Sequence, residues 1–229
     1  MAFTLDKVVP WGRTFDEYVA MFALSQHDLE KSFLGCSDGP ANFNSVLSNR
    51  GGRVISADPL YRFSHDDIRK KISETYDKIM EQIRDNKDEF VWERISSVED
   101  LGNIRMNAMN EFLSDYPEGV NEGRYVEATL PSLPFEDREF DIALCSHYLF
   151  LYSEQLSEEF HLQSVRELCR VALETRIFPL LELGSNKSRH IERVIYALRK
   201  IDFKVSIEKV SYEFQKGGNE MLKIIAHNN

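Results

Sequence analysis

Three short segments of the 229-residue chain hold residue types that can do chemistry. The first is Gly35-Cys36-Ser37-Asp38-Gly39-Pro40. Its small residues let a ligand approach the backbone, and a helix starting just after it would offer free N–H groups. The second is Asp58, followed by Pro59 and Leu60. A carboxylate at the end of a strand can accept hydrogen bonds from two adjacent hydroxyls, such as those of a ribose. The third is Ser146-His147-Tyr148. His147 can line a pocket or serve as a base toward a hydroxyl or amine. Packing, or a hydrogen bond beside a ligand, is the commoner role for such a histidine. A structural turn followed by a capping aspartate would give the same first two signals.

These segments acquire meaning only if the fold ends several strands side by side. Lys31 to Leu34 reads as a strand entering the small-residue turn, 41–48 as a helix, and Arg53 to Ala57 as a second strand stopped by Asp58-Pro59. That is a βαβ unit. Thr14 and Glu17 form a capping box that opens an N-terminal helix over 14–24. Ser64 caps a helix to about Asp85, with Ile68, Ile72, Ile79 and Ile83 as its apolar stripe. Ser97 caps another over 98–115. Residues 64–115 thus form a two-helix insertion. Strands follow at Tyr125 to Leu130, Phe140 to Cys145 and Arg176 to Leu183, with helices at Glu158 to Leu173 and Arg189 to Lys200. Phe203 to Phe214 and Met221 to Ala226 are strands joined by a hairpin turn at Gly217-Gly218-Asn219. The expected fold is α/β: a Rossmann-like three-layer sandwich of about seven strands, mostly parallel, with a C-terminal antiparallel hairpin. Residues 1–229 read as a single domain.

The order of motifs resembles the class I S-adenosylmethionine-dependent methyltransferases, in particular small bacterial members. Phe33-Leu-Gly-Cys-Ser-Asp-Gly-Pro-Ala-Asn-Phe43 looks like their first motif and Val54-Ile-Ser-Ala-Asp-Pro-Leu-Tyr61 their second. Leu133-Pro-Phe-Glu-Asp-Arg-Glu-Phe-Asp-Ile-Ala-Leu-Cys-Ser-His147 looks like their fourth-strand region. The resemblance implies S-adenosylmethionine as cofactor. It implies cofactor contacts from Gly35, Cys36, Ser37, Asp38 and Gly39, from Asp58, Pro59 and Leu60, and from Thr129, Leu130 and Ser146, with His147 as the candidate catalytic residue. Three positions depart from the pattern. Gly35 stands where the family usually has an acid, and Ser37 where it has a glycine. Thr129 falls where a carboxylate commonly faces the adenine amino group. Asp38, three residues after Gly35, is the candidate substitute for the missing acid. Restoring the pattern with Gly35→Asp and Ser37→Gly is then expected to tighten cofactor binding.

Composition limits the alternatives. Lys+Arg 28 against Asp+Glu 38 gives a net charge of −10, which disfavours a sequence-independent nucleic-acid binder. The expected partner is a small-molecule substrate. No run approaches the ~18 apolar residues of a membrane span, and the N-terminus has no apolar stretch of signal-peptide length. Three scattered cysteines, Cys36, Cys145 and Cys169, give neither a disulfide framework nor zinc spacing, so no metal is expected and a reducing cytoplasm fits best. P-loop, HExxH, GxSxG and paired CxxC motifs do not occur. His161 and Cys169 read as one face of a helix, and Phe150, Tyr152 and Phe160 as core aromatics. Glu154, Glu158 and Glu159 read as solvated, helix-starting acids, and Lys70-Lys71 as a polar helix face. The chemistry that fits is methyl transfer to an acceptor. The competing reading is a non-catalytic cofactor-binding or scaffold protein on the same fold. A nicotinamide-dependent dehydrogenase ranks lower, because the turn lacks G-x-G-x-x-G.

Overall fold

The structure is a computed structural model in which residues 9–226 are described. Met1 to Val8, part of the stretch read above for a leader, lie outside them. Seven strands form one sheet in the order β3-β2-β1-β4-β5-β7-β6. They are β1 (Ser32–Cys36), β2 (Arg53–Ala57), β3 (Tyr125–Val126), β4 (Phe140–Ser146), β5 (Ala172–Phe178), β6 (Lys204–Lys209) and β7 (Glu220–Ile225). The pairs from β3 to β5 are parallel, and β7 is antiparallel to both β5 and β6. The helices are α1 (Phe15–Met21), α2 (Phe43–Asn49), α3 (His65–Asp85), α4 (Val98–Asn121), α5 (Glu158–Val171) and α6 (Ile191–Arg199).

Alternation along the central strands divides the core into two layers. Leu34, Cys36, Ala143, Cys145 and Ile177 face α5 and α6, through Val165, Leu168, Val194 and Leu198. Phe33, Ile142, Leu144 and Phe178 face the other way, toward Phe15, Phe22, Phe43 and Leu101 of the N-terminal region, α2 and α4. A third cluster joins Ile68 and Ile72 of α3 to Met109, Phe112 and Tyr116 of α4. The expected three-layer α/β architecture is the one observed.

The register sets up the site. Cys36 is level with Ala57 on one side and with Cys145 on the other. Three strands therefore end side by side, and the chain leaves them at Ser37, Asp58 and Ser146. From β1 the chain crosses to one side and β4 lies on the other, so the strand order reverses there and leaves a crevice.

Several boundaries differ from the sequence reading; among them, β1 continues through Gly35 and Cys36, which that reading places in the turn. β3 is two residues long rather than Tyr125 to Leu130, because the chain turns around Leu130-Pro131 with Thr129 bridging Ser132. α4 runs on through Pro117 to Asn121. It does so because Tyr116 is buried, its hydroxyl donating to the Tyr61 and Phe63 carbonyls, and Gly119 leaves room for the Tyr125 ring. β5 starts at Ala172, immediately after α5, and stops before Pro179. Finally, Gly217-Gly218-Asn219 is not a tight hairpin turn. The ladder ends at Val210 N–H to Asn219 C=O, and the chain between loops out. Tertiary contacts hold that loop, among them a bridge between Phe90 and Gln215. Phe214 stacks on Phe90 at 4.8 Å between centroids, and the Tyr212 hydroxyl donates to Glu17 at 2.7 Å.

Candidate active site

At the three strand ends opens a cavity of about 380 Å³, within the range of small-molecule sites. Ser37, Asp38 and Gly39 line it from the β1 turn, Asp58, Pro59 and Leu60 from the end of β2, and Ser146 and His147 from the end of β4. These eight predicted residues are brought together. Four others are not on the cavity wall. Gly35 and Cys36 are buried within β1. Thr129 is exposed on the turn after β3, and Leu130 is 3% exposed in the core.

Asp58 is held in place by the backbone. Its Oδ2 accepts from the Gly39 N–H at 2.9 Å and its Oδ1 from the Leu60 N–H at 2.7 Å. It thereby ties the β1 turn to the end of β2, and each oxygen keeps a lone pair for a further donor. Burial pushes its carboxyl up to about 6, against the backbone hydrogen bonds.

Asp38 turns back over the end of its own strand. Oδ1 accepts from the Tyr18 hydroxyl at 2.7 Å and Oδ2 from the Ser56 hydroxyl at 2.8 Å. A Cβ built on Gly35 would collide with this carboxylate. Asp38 thus occupies the space that a side chain at position 35 would need. Burial, with the nearby Asp58 charge adding, pushes it up to about 6 in spite of the two hydroxyl donors.

The turn and the end of β4 carry backbone strain. Ser37 and His147 both sit in the left-handed region, at φ 58° and 50°. Non-glycine residues held there cluster at functional sites. The His147 N–H donates to the Phe178 carbonyl at 2.7 Å, and its Nδ1 lies 2.8 Å from the Ser146 hydroxyl. Burial, reinforced by the Arg13 and Arg105 charges, keeps its pKa well below the usual histidine value. His147 is therefore a neutral hydrogen-bonding group and a weak base.

The rest of the wall comes from outside the sheet: Trp11 and Arg13, Ile79 and Ile83 of α3, Phe90, Tyr152 and Phe214. The N-terminal segment is stitched to the start of α2. The Asn42 N–H donates to the Arg13 carbonyl, Phe15 N–H donates to Asn42 Oδ1, and Gly12 has no side chain to displace the Pro40 carbonyl. Behind it lies a buried ion pair. Arg105, 0% exposed, donates from both terminal nitrogens to Glu17, at 2.5 and 2.7 Å.

Sequence reasoning missed Arg13, Tyr18 and this pair. The available signal was Trp11-Gly12-Arg13 directly ahead of the capping box, a bulky aromatic and a cation outside any periodic pattern. Tyr152, read as core, lines the cavity, whereas Phe150 stacks on His161 at 5.6 Å. The His161 ring is held between the Ser157 and Leu149 carbonyls, away from the cavity wall. Among the described residues no group of His, Cys, Asp and Glu is arranged to hold a metal ion, and no helix is long and apolar enough to cross a membrane.

No family model matches the chain. A curated relative does: uncharacterized protein MJ0045 of Methanocaldococcus jannaschii, 34% identical over 221 residues, covering 96% of this chain and 97% of that protein. It is archaeal, and the narrower resemblance to bacterial members stays an expectation. Among solved structures, mitomycin 7-O-methyltransferase MmcR is similar with a TM-score of 0.51 at 10% identity, over 93% of this chain and 54% of the MmcR chain. Magnesium protoporphyrin IX methyltransferase (ChlM) from Synechocystis PCC 6803, solved with bound SAM, has a TM-score of 0.48 at 12% identity over 93% and 78%. The strand order, the reversed last strand and the likeness to MmcR all describe one architecture. The chain belongs to the family of the M. jannaschii protein, and its fold is that of the class I methyltransferases.

Proposed function

We propose that the protein binds S-adenosylmethionine and transfers its methyl group to a small-molecule acceptor. The observation that carries this reading is the pair Asp38 and Asp58, presented from adjacent strand ends at the mouth of one cavity. The residues present fit the cofactor. Asp58 has lone pairs to accept from two ribose hydroxyls, Gly39 leaves open space above the turn, and Leu60 and Tyr148 supply apolar surface for a flat ring. Asp38, steadied by Tyr18 and Ser56, is the carboxylate for the ammonium of the methionine end.

The cofactor supplies an electrophilic methyl group, so the chain has little covalent chemistry to perform. Its residues align the acceptor and exclude water, and proximity supplies much of the rate. The aromatic and aliphatic wall of Trp11, Ile79, Ile83, Phe90 and Phe214 serves as the dry acceptor chamber. His147, neutral, accepts a hydrogen bond from the acceptor's hydroxyl or amine. The alternative of a non-catalytic cofactor-binding or scaffold protein draws on Gly35 and Thr129. Asp38 offers a carboxylate in the space at Gly35, which supports cofactor binding, and Thr129 offers none. Cys36, Cys145 and Cys169 are buried and unpaired, which supports a reducing cytoplasm.

A thermal-shift series with S-adenosylmethionine and S-adenosylhomocysteine tests the reading. At ~100 times the dissociation constant a ligand stabilises by ~2.7 kcal/mol, a rise of roughly 5–10 °C for a domain of this size. An unchanged Tm at millimolar concentrations of both would remove the reading.

A further inference from the structure

The cavity wall holds three basic side chains, Arg13, Arg62 and Lys71, and three acidic ones, Asp38, Asp58 and Glu89, but beside Arg13 the local balance is positive. Two guanidinium groups, Arg13 and Arg105, stand around one carboxylate, Glu17. That carboxylate is fully engaged. Its Oε2 accepts from the Thr14 N–H, the Thr14 hydroxyl and Arg105, and its Oε1 from Arg105 and the Tyr212 hydroxyl. Among the described residues Arg13 keeps a single hydrogen bond to an acceptor, from Nη1 to the Trp11 carbonyl at 2.8 Å. Its Nε is buried with no partner. A guanidinium has five N–H donors, and a buried charge without a counterion is costly. Burial, and then the charge of Arg105, lower its pKa to about 10, so it remains a cation at neutral pH.

Position gives this surplus a use. Arg13 lines the cavity that also contains Asp38, Asp58 and His147. Tyr18 links the two signs of charge. Its hydroxyl donates to Asp38, and its pKa responds to both Asp38 and Arg13. An anion lying against Arg13 would sit at the end of the cavity where Asp38 could take a cation. Among the described residues, Arg13 forms no salt bridge.

We propose that Arg13 is a carboxylate receptor: the ligand's carboxylate completes, through the planar fork of the guanidinium, the charge that Glu17 leaves unbalanced. The chemistry has two sources, the amino-acid end of the cofactor or a carboxylate on the methyl acceptor. The inference rests on the proposed function for the identity of the first source and on the geometry of the cavity alone for the second. A fork meeting a carboxylate makes two parallel charge-assisted bonds.

The test is titration calorimetry on the full chain, as wild type, Arg13→Gln and Arg13→Lys. The probes are S-adenosylhomocysteine, 5′-methylthioadenosine (the same nucleoside thioether without the amino acid), benzoate and benzamide. If the cofactor supplies the carboxylate, Arg13→Gln weakens S-adenosylhomocysteine about tenfold or more and leaves 5′-methylthioadenosine unchanged, with Arg13→Lys between. If the acceptor supplies it, both nucleosides bind the variants like the wild type. Benzoate then binds the wild type more tightly than benzamide, and Arg13→Gln erases that preference. The proposal is overturned if Arg13→Gln changes neither the homocysteine nor the benzoate selectivity. Failure of both nucleosides to bind the wild type would sink the cofactor reading, and the benzoate comparison would still decide the role of Arg13. Melting temperature excludes a purely structural role: removing a half-buried cation that forms no salt bridge among the described residues should leave Tm unchanged or raise it, whereas a structural arginine would lower it.

Discussion

The carboxylate of Asp38 lies over Gly35, so close that a Cβ at position 35 would overlap it. The position that departs from the family pattern and the acid three residues later are therefore one arrangement. Glycine is required because Asp38 needs its space. This reverses the expectation that Gly35→Asp restores a motif and tightens cofactor binding. Gly35→Asp should instead expel Asp38 from Tyr18 and Ser56, costing about 1–3 kcal/mol as overpacking does and weakening S-adenosylhomocysteine. Gly35→Asp combined with Asp38→Ala returns one carboxylate to the same space. Thermal melts should show the double variant more stable than the single. Equal or lower stability of the double would mean that the two positions are not exchangeable.

Asp58→Ala should weaken S-adenosylhomocysteine at least tenfold. It also removes the acceptor of the Gly39 and Leu60 N–H groups, so a stability loss of about 1–3 kcal/mol is expected with it. The pH dependence separates the two effects. Asp38 and Asp58 have folded pKa values of about 6, above the ordinary 3.8. Between those values the folded state holds more protons than the unfolded one, so these two groups make the protein less stable as pH rises from about 4 to about 6. Cofactor affinity should move oppositely. Accepting from two hydroxyls requires the ionised carboxylate, so affinity climbs with pH through about 6 and levels off above 7. Calorimetry at pH 5 to 8 on wild type and Asp58→Asn checks this. In Asp58→Asn only Asp38 still titrates near 6, so a wild-type profile no steeper than that of the variant would refute the ribose assignment.

Legibility followed local punctuation. The strands β1, β2 and β4 are readable because apolar runs stop at Gly35, Asp58 and Ser146, although β1 itself continues through Gly35 and Cys36. The junction of α5 and β5 is not readable, since the helix passes into the strand at Ala172 with no breaker between. Gly217-Gly218-Asn219 misled for the opposite reason: a strong local turn signal was overridden by the Phe214–Phe90 stack and the Tyr212–Glu17 bond. Thr129 was placed by aligning a motif along a strand that proved two residues long. Glu17 and Arg105 are 88 residues apart, and a charged residue at a capping position or on a helix carries no mark of its distant partner.

Glu17 is the hub of that buried cluster, so its loss should exceed the loss of Arg105. Removing Arg105 leaves Glu17 with the charge of Arg13 nearby, whereas removing Glu17 leaves buried Arg105 and half-buried Arg13 without their shared anion. Glu17→Gln is expected to cost about 3–5 kcal/mol, and Arg105→Met less. Denaturant unfolding of the two variants gives the comparison, and a larger loss for Arg105→Met would show that Arg13 does not share the carboxylate.

The two helices over 64–115 differ in what they pack against. Leu101, Ala108, Met109 and Phe112 of α4 are at most 1% exposed, and α4 packs on α2, α3 and β3. Its Arg105 is tied to Glu17 of α1. By contrast, α3 packs chiefly on α4, and Ile79 and Ile83, each 2% exposed in the core cluster that also holds Phe33 and Leu101, form part of the cavity wall. Local opening is easiest where few buried contacts hold an element. Amides of α4 should therefore exchange as slowly as those of β4, while α3 exchanges faster and slows when S-adenosylhomocysteine and an acceptor fill the chamber beneath it. Hydrogen exchange by mass spectrometry, with and without ligand, reads both helices in one experiment. Equal protection of α3 and α4 in the ligand-free protein would make the whole segment part of the rigid core, and access to the chamber would then have to come from Trp11 and the N-terminal segment.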